Sequence, residues 1–433
     1  MQRSKHPLFV RLEQRDAIFR DGNPASLSLE SENAEDCKAF VSLFQASPEN
    51  QLTEFVKNKN HAEIFTKLLS TRSDPAPLNL LCAFIDRLLD LDFNATIGAL
   101  MANSQKLSEG CAKILIGHTA DHLNQAFLVR TILLLLGTII SERDTKATTE
   151  AFQTFTRTAL SLLSAKLNEA SIALECVKRA LRSEQFRSTF ISEKGTKLLL
   201  DLLTQAQKAS NTDSLYHILF CIWGISFSAE GAGQLSEGDF IPILTKLLST
   251  VQPEREELVR LLTFIIQQLN PSIVFIENAY DYDILRLVRN LQTKHYVDPE
   301  LTTEIAKVAD DMAQALKKLS LWDKYVREVK SGKLKNTISH SSELFWKANV
   351  ERFGENNFAV LIALRDLLKS DDEETVTVAC HDIGEYVHRH PLGRIKVEEI
   401  HAKEMIMELL INKNQNIVSQ ALRTTQLLLL RNN

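Results

Sequence analysis

The sequence predicts an all-α fold, a right-handed α-solenoid of armadillo/HEAT-like helical repeats arranged in two domains. Three observations lead there. Glycine and proline number 14 and 10 in 433 residues, about half of their average usage of about 7% and 5%, so few turns are written. Long Leu-rich segments show little two-residue alternation, which argues for helices rather than a sheet with Gly-rich corners. Apolar positions also recur at a fixed offset of 42 residues: Leu367 falls on Leu409, Leu368 on Leu410, Val376 on Val418, Ala379 on Ala421 and Val387 on Leu429. Repeats of about 40 to 47 residues leave an apolar face that only the neighbouring unit can cover. A plain helical bundle needs no such offset.

Composition sets the bounds. A single core stops growing near about 250 to 300 residues, so a chain of this length is expected to hold two domains. Charged residues at 24% and hydrophobic ones at 44% describe a chain that folds. Fifty Lys and Arg against fifty-five Asp and Glu leave a formal charge of −5. That balance gives no basic excess to hold a phosphate backbone, and nucleic acid is excluded as an expected partner.

Along the chain, residues 1–35 read as an N-terminal tail. Its apolar run, Leu8 to Val10, is shorter than a secretory core. An N-terminal armadillo/HEAT-like domain is expected over 36–325. Within it "EIFTKLL", ending at Leu69, has the shape of "TKLLLDLL", ending at Leu203, which recurs 45 residues on in "PILTKLL", ending at Leu248. The sequon Asn94-Ala95-Thr96 is taken as a chance match. His118, Asp121 and His122 show helical i, i+4 spacing but spell no HExxH, and read as a polar helix face.

The apolar runs "ILLLLGTII" from Ile132 and "LYHILFCIWGISF" from Leu215 fall short of the roughly 20 residues that span a bilayer. No membrane span is therefore expected, and the location read from the sequence is cytoplasmic. In "GAGQLSEGDF", Asp239 and Phe240 stand where a phosphate loop needs Lys and Ser or Thr, and the segment reads as a loop between helices. Cys37, Cys82, Cys111, Cys176, Cys221 and Cys380 form no C-x-x-C pair and read as small buried hydrophobes. Val326 to Ser342 is polar, carries Gly332 and lacks the Leu spacing of its flanks, so 326–342 is assigned as a linker. A C-terminal armadillo/HEAT-like domain follows over 343–433, with Phe345 and Trp346 expected in its core.

The densest polar chemistry lies in "VACHDIGEYVHRHPLGR", Val378 to Arg394. Ser370 and Glu373 match a capping box, and Asp371, Asp372 and Glu374 add negative charge where a helix N-terminus favours it, so a helix should begin near Asp372. At 100° per residue Val376, Ala379, Cys380, Ile383 and Val387 share one stripe, the core side. His381, Glu385 and His388 fall opposite, at spacings that permit a two-histidine, one-carboxylate metal site. No fourth-ligand spacing supports one. His388, Arg389 and His390 equally suit the last turn of a helix that Pro391 and Gly393 end. The reading taken is a polar surface that faces a partner, with Ser370, Asp371, Asp372, Glu373, His381, Asp382, Glu385, His388, Arg389 and Arg394 as its candidate contacts. No catalytic, cofactor or metal site is predicted.

The same segment carries a resemblance. The run F-W, N, L-x-x-L-L, A-x-H-D-[IV]-G-E-[YF]-V and P-x-G-[RK] passes through Phe345, Trp346, Asn357, Leu364, Leu367, His381, Asp382, Gly384, Glu385, Tyr386, Pro391 and Gly393. In this it resembles the H-subunit family of the vacuolar-type proton ATPase over about the last hundred residues, with shorter echoes upstream such as "LFCIWGISFS". The resemblance implies a non-catalytic regulatory subunit of the peripheral sector. It implies an N-terminal domain that grips the stalk made by the E and G subunits. The C-terminal domain would bridge to the cytosolic part of the membrane-bound a-type subunit, and would help silence hydrolysis by the catalytic sector after that sector detaches. It places the inhibitory contact at Lys369 to Thr375, and the chain peripherally on a vacuolar or endomembrane pump. A free-standing armadillo adaptor that binds extended peptides is the competing reading, although Trp223, Trp322 and Trp346 lack the repeat spacing of a tryptophan ladder.

Overall fold

The structure is a computed structural model that describes residues 7–27, 34–117, 125–142 and 147–429. Among these residues every regular element is a helix, as the scarcity of turn residues requires. His118, Asp121 and His122 lie outside the described residues. The chain forms two compact units, Met1–Gln234 and Leu235–Asn433.

In the first unit two rows of helices stack. One row runs through Pro7–Asp21, Pro75–Leu91, Ala126–Ser141, Leu167–Ala180 and Thr212–Ile225, each packed on the next. The other runs through Lys59–Thr71, Ser104–Gly117, Thr149–Leu163 and Gly195–Lys208. Members of the second row start at 59, 104, 149 and 195, steps of 45, 45 and 46 residues. The repeat legible in "EIFTKLL" and "TKLLLDLL" is thus this row. Local chemistry writes the starts: Asp92, Thr148 and Asn211 each accept a hydrogen bond from the backbone N–H three residues on, satisfying a donor that a helix N-terminus otherwise leaves open. The Ala126–Ser141 helix is buried nearly all round, because neighbours in both rows cover it.

The second unit begins with the helices Phe240–Thr250, Glu256–Leu269, Ile273–Asp281, Ile284–Gln292 and Pro299–Lys317. The expected loop "GAGQLSEGDF" is mostly the Ala229–Glu237 helix. Only Gly238 and Asp239 make the turn, and the sequence misled because the glycines at 231 and 233 are accommodated inside the helix. From Leu321 onward one core gathers Trp322, Tyr325, Val329, Leu334, Phe345, Trp346, Phe353, Leu361, Leu364, Ile383, Tyr386, Ile406 and Leu428 among others. Phe345 and Trp346 are 1% and 0% exposed. From Val376 and Val418 onward the 42-residue offset pairs the helices Glu373–Arg389 and Gln415–Leu429, which pack on each other, while Leu367, Leu368, Leu409 and Leu410 precede them. Ala379 and Ala421 are both fully buried at the crossing, whereas Leu429, opposite Val387 in register, is 65% exposed.

The polar segment 326–342 is structured. The Leu321–Ser331 helix runs through its first third and is closed by Gly332, which takes φ 78°, a left-handed conformation that glycine adopts without steric cost. Leu334, Ser339 and His340 are buried. Lys324 pairs with Asp281, and the Ser339 hydroxyl donates to the same carboxylate at 2.7 Å. These bonds join the segment to the preceding helices of the same unit, and the compact units divide earlier in the chain, between Gln234 and Leu235. All six cysteines are buried. Burial pushes the thiols of Cys111, Cys176 and Cys221 up to about 12, so they stay protonated and unreactive.

Candidate functional site

The Glu373–Arg389 helix starts where the sequence placed it, but the cap differs. Asp372 is the N-cap: its Oδ2 accepts from the Thr375 backbone N–H at 2.9 Å and from the Thr375 hydroxyl at 2.5 Å. Those two bonds hold the Asp372 carboxyl below its ordinary range. Ser370 accepts instead from the Asp372 N–H at 3.2 Å, and Glu373 Oε2 accepts from Asn414 Nδ2 at 2.6 Å. The expected capping box is therefore an Asp cap with a Ser turn before it. The helix ends at Arg389 with His390 as C-cap, and Gly393 opens the next helix. A Cβ at Gly393 would lie 2.8 Å from the Tyr386 carbonyl oxygen and Val387 Cα.

The apolar stripe is as expected: Val376, Ala379, Cys380, Ile383 and Val387 are all buried. Gly384 lies beside it because a Cβ there would stand 2.8 Å from Thr424 Oγ1. That hydroxyl donates to the Cys380 carbonyl at 2.9 Å and ties the Gln415–Leu429 helix to this one.

Asp382, expected on the partner surface, is 0% exposed. The helix packs on two sides, and Asp382 faces the second. Its Oδ2 accepts from the Tyr325 hydroxyl at 2.8 Å and from His340 Nδ1 at 2.6 Å, while Oδ1 accepts from His381 Nδ1 at 3.0 Å. His340 Nε2 faces Glu328 Oε1 at 3.5 Å, an ion contact longer than a hydrogen bond. The backbone here is held as well: Trp346 Nε1 donates to the His340 carbonyl at 2.6 Å, the Leu334 N–H to Thr375 Oγ1 at 3.1 Å and the Asn336 N–H to Glu374 Oε1 at 3.0 Å.

Electrostatics follow from this enclosure. Burial works against a charged His340, but the Asp382 and Glu328 carboxylates outweigh it and hold the imidazole up at about 10. Burial likewise works against ionised Asp382, and His340 and His381 outweigh it, so the carboxyl stays below its ordinary range. Tyr325 is pushed well up by burial and by the Asp382 charge. The result is a charged, hydrogen-bonded clasp in the core.

What remains for a partner is narrower than the sequence indicated. Asp371, Asp372, Glu373 and His388 are exposed, and Ser370, His381, Glu385, Arg389 and Arg394 are half-buried at the surface. Arg389 Nε donates to Glu385 Oε2 at 2.8 Å, and His381 Nε2 lies 3.9 Å from Glu385 Oε1. Among the described residues no group of three or more His, Cys, Asp or Glu is placed to hold a metal ion, and no helix is long and apolar enough to cross a membrane. Sequence reasoning missed Tyr325, Glu328 and His340. The available signal was Trp322, Tyr325 and Val329 at helical spacing just before the polar run.

Two family models, both described as the V-ATPase H subunit, match residues 10–312 and 318–433. A probable V-type proton ATPase H subunit of Oryza sativa subsp. japonica is 30% identical over 259 residues, 60% of this chain and 57% of that protein. The V-type proton ATPase H subunit of Drosophila melanogaster is 28% identical over 263 residues, 59% of this chain and 56% of its own length. That of Dictyostelium discoideum is 28% identical over 268 residues, 61% and 60% respectively. The chain thus matches less than two thirds of the length of these relatives. Among solved structures, an engineered protein aligns with TM-score 0.50 at 15% identity, covering 96% of this chain and 98% of its own, a likeness of fold alone.

Proposed function

The chain belongs to the V-ATPase H-subunit family, and from that membership we propose that it is a non-catalytic regulatory subunit of the peripheral sector of a proton-translocating ATPase. In the assembled pump it couples ATP hydrolysis to proton transport, and it helps silence hydrolysis when the sector detaches. The observation that carries this reading is the run of two family models, one after the other, along nearly the whole chain.

Its part before about residue 317 grips the stalk made by the E and G subunits. Its part from about residue 318 engages the cytosolic domain of the membrane-bound a-type subunit, or the catalytic sector after detachment. It works at the cytoplasmic face, attached peripherally to an endomembrane pump. Physics supports this division of labour, since solenoids offer long surfaces suited to holding other helices. Two such surfaces on one chain raise the effective concentration for the second contact. The contact side of the Glu373–Arg389 helix is then His381, Glu385, His388 and Arg389, with Ser370, Asp371 and Arg394 at its ends.

The test is reconstitution. The purified chain is added to pump-bearing membranes stripped of their own H subunit, and ATP hydrolysis and proton uptake are recorded together. The proposal expects proton uptake to rise relative to hydrolysis, with other components of the pump co-purifying. No change in either rate, and no pump component retained, would rule it out.

A further inference from the structure

A cavity of about 370 Å³ lies within the second compact unit. The turn at Gly238 and Asp239 lines it together with the end of the Ile273–Asp281 helix, and so do the Leu321–Ser331 helix and the irregular run 333–337 that follows. Its volume is at the small end for ligand pockets, which run from about 300 to 1,000 Å³. A helix, about 10 Å across with its side chains, does not fit such a space. Charged groups dominate the lining, where most ligand pockets are apolar.

Part of that charge is already matched. Lys324 pairs with Asp281, which also accepts from the Ser339 hydroxyl, and Arg327 pairs with Glu277. Glu328 Oε1 accepts from the Lys335 backbone N–H at 3.1 Å and faces His340 Nε2 at 3.5 Å. Four lining side chains remain, Glu237 and Asp239 on the first turn and Lys333 and Lys335 on the irregular run. All four are exposed, and among the described residues none of them is in an ion pair. Lys333 does act at longer range on Asp372, whose carboxylate is held by Thr375. Glu328 and Thr337 add one buried oxygen each, Oε2 and Oγ1, that meets no hydrogen-bonding group among the described residues. Leaving such atoms unpaired is costly, and a donor on a ligand removes that cost.

This pattern selects the ligand. Five carboxylates and four cations line the cavity, so phosphate or any other plain anion gains no net attraction there. A polyamine is opposed by Lys333 and Lys335. Among the described residues no cluster of His, Cys, Asp and Glu is placed to hold a metal ion. A molecule that carries both an ammonium and a carboxylate answers both unmatched pairs at once. We propose that the cavity binds a small zwitterion, a free α-amino acid or a dipeptide. Its carboxylate lies on Lys333 and Lys335 and its ammonium on Glu237 and Asp239, while a further N–H or O–H donates to Glu328 Oε2 and Thr337 Oγ1. The assignment rests on the chemistry of this cavity and is independent of the regulatory role above.

The full chain is dialysed against the common free α-amino acids and, separately, against a set of dipeptides. Retained molecules are identified by mass spectrometry and titrated by calorimetry beside their N-acetylated and carboxamide forms, inorganic phosphate and spermidine. The expected result is saturable binding at one site per chain, weakened by about tenfold or more when either charge of the ligand is blocked. Retention of amino acids or of dipeptides alone identifies which of the two sources the site takes. Lys335→Gln and Asp239→Asn should each weaken binding by about tenfold at an unchanged melting temperature, because both side chains are exposed. Lys330→Gln, exposed on the same helix as Lys324 but outside the cavity, should leave binding as it is. No retention at millimolar concentration, equal binding of the blocked forms, phosphate or spermidine bound as tightly, or an affinity indifferent to either cavity substitution would overturn the proposal.

Discussion

Asp382 is the residue on which the C-terminal core turns. It brings a charge into a fully buried position and has three donors to receive it. Removing one partner from such a pair leaves the other charge stranded. Asp382→Ala should therefore cost roughly 3 kcal/mol or more in urea unfolding, far above the ±0.5 kcal/mol typical of surface changes. The clasp also sets a pH profile. His340 is held at about 10 against an ordinary 6.5, so its contribution is complete below pH 6.5 and is lost as the pH rises through 10. Asp382 is held below 3.8, so its contribution is complete above that value and is lost as the pH falls through its folded pKa. Urea midpoints should accordingly fall off above pH 6.5, and His340→Gln should flatten that alkaline limb. A limb equally steep in the variant would assign it to other groups.

At the scale of elements, the Glu373–Arg389 helix depends on how closely the Gln415–Leu429 helix can approach. Gly384→Ala would drive a methyl to 2.8 Å from Thr424 Oγ1, an overpacking worth about 1 to 3 kcal/mol. Combined with Thr424→Ala the cost should be less than additive, because the two changes share one contact; strict additivity would show that the crossing does not tighten there. This helix also shows what a sequence can and cannot disclose. Val376, Ala379, Cys380, Ile383 and Val387 were legible because one stripe at helical spacing marks one buried side. Asp382 was not, because its partners Tyr325 and His340 lie 57 and 42 residues away and no local pattern registers them. The bonds that hold segment 326–342, assigned as a linker, are invisible to local pattern for the same reason: backbone N–H groups of Leu334 and Asn336 are satisfied by the start of a helix some forty residues on. Limited proteolysis should consequently spare 332–341 until the C-terminal core unfolds. Early cleavage there would mean that these bonds do not persist in solution.

For the whole molecule, the family boundary and the core agree on a fragment. Every member of the aromatic core from Trp322 to Leu428 lies within the stretch matched by the second family model, 318–433. Expressed alone, 318–433 should melt cooperatively, as a domain with its own core does; a broad, non-cooperative transition would show that it needs the Ile273–Asp281 helix, which holds Lys324 and Ser339 through Asp281. The central claim is that the surface of the Glu373–Arg389 helix acts on the pump while its buried side only maintains the fold. Glu385→Lys tests it most directly, because it reverses charge beside Arg389 and His381 and leaves the apolar stripe and Asp382 untouched. Thermal melting and the ratio of proton uptake to ATP hydrolysis are measured on the same reconstituted membranes. The predicted result is a melting temperature within a few degrees of the parent and a clear fall in that ratio. An unchanged ratio, with silencing also intact after detachment, would contradict the claim.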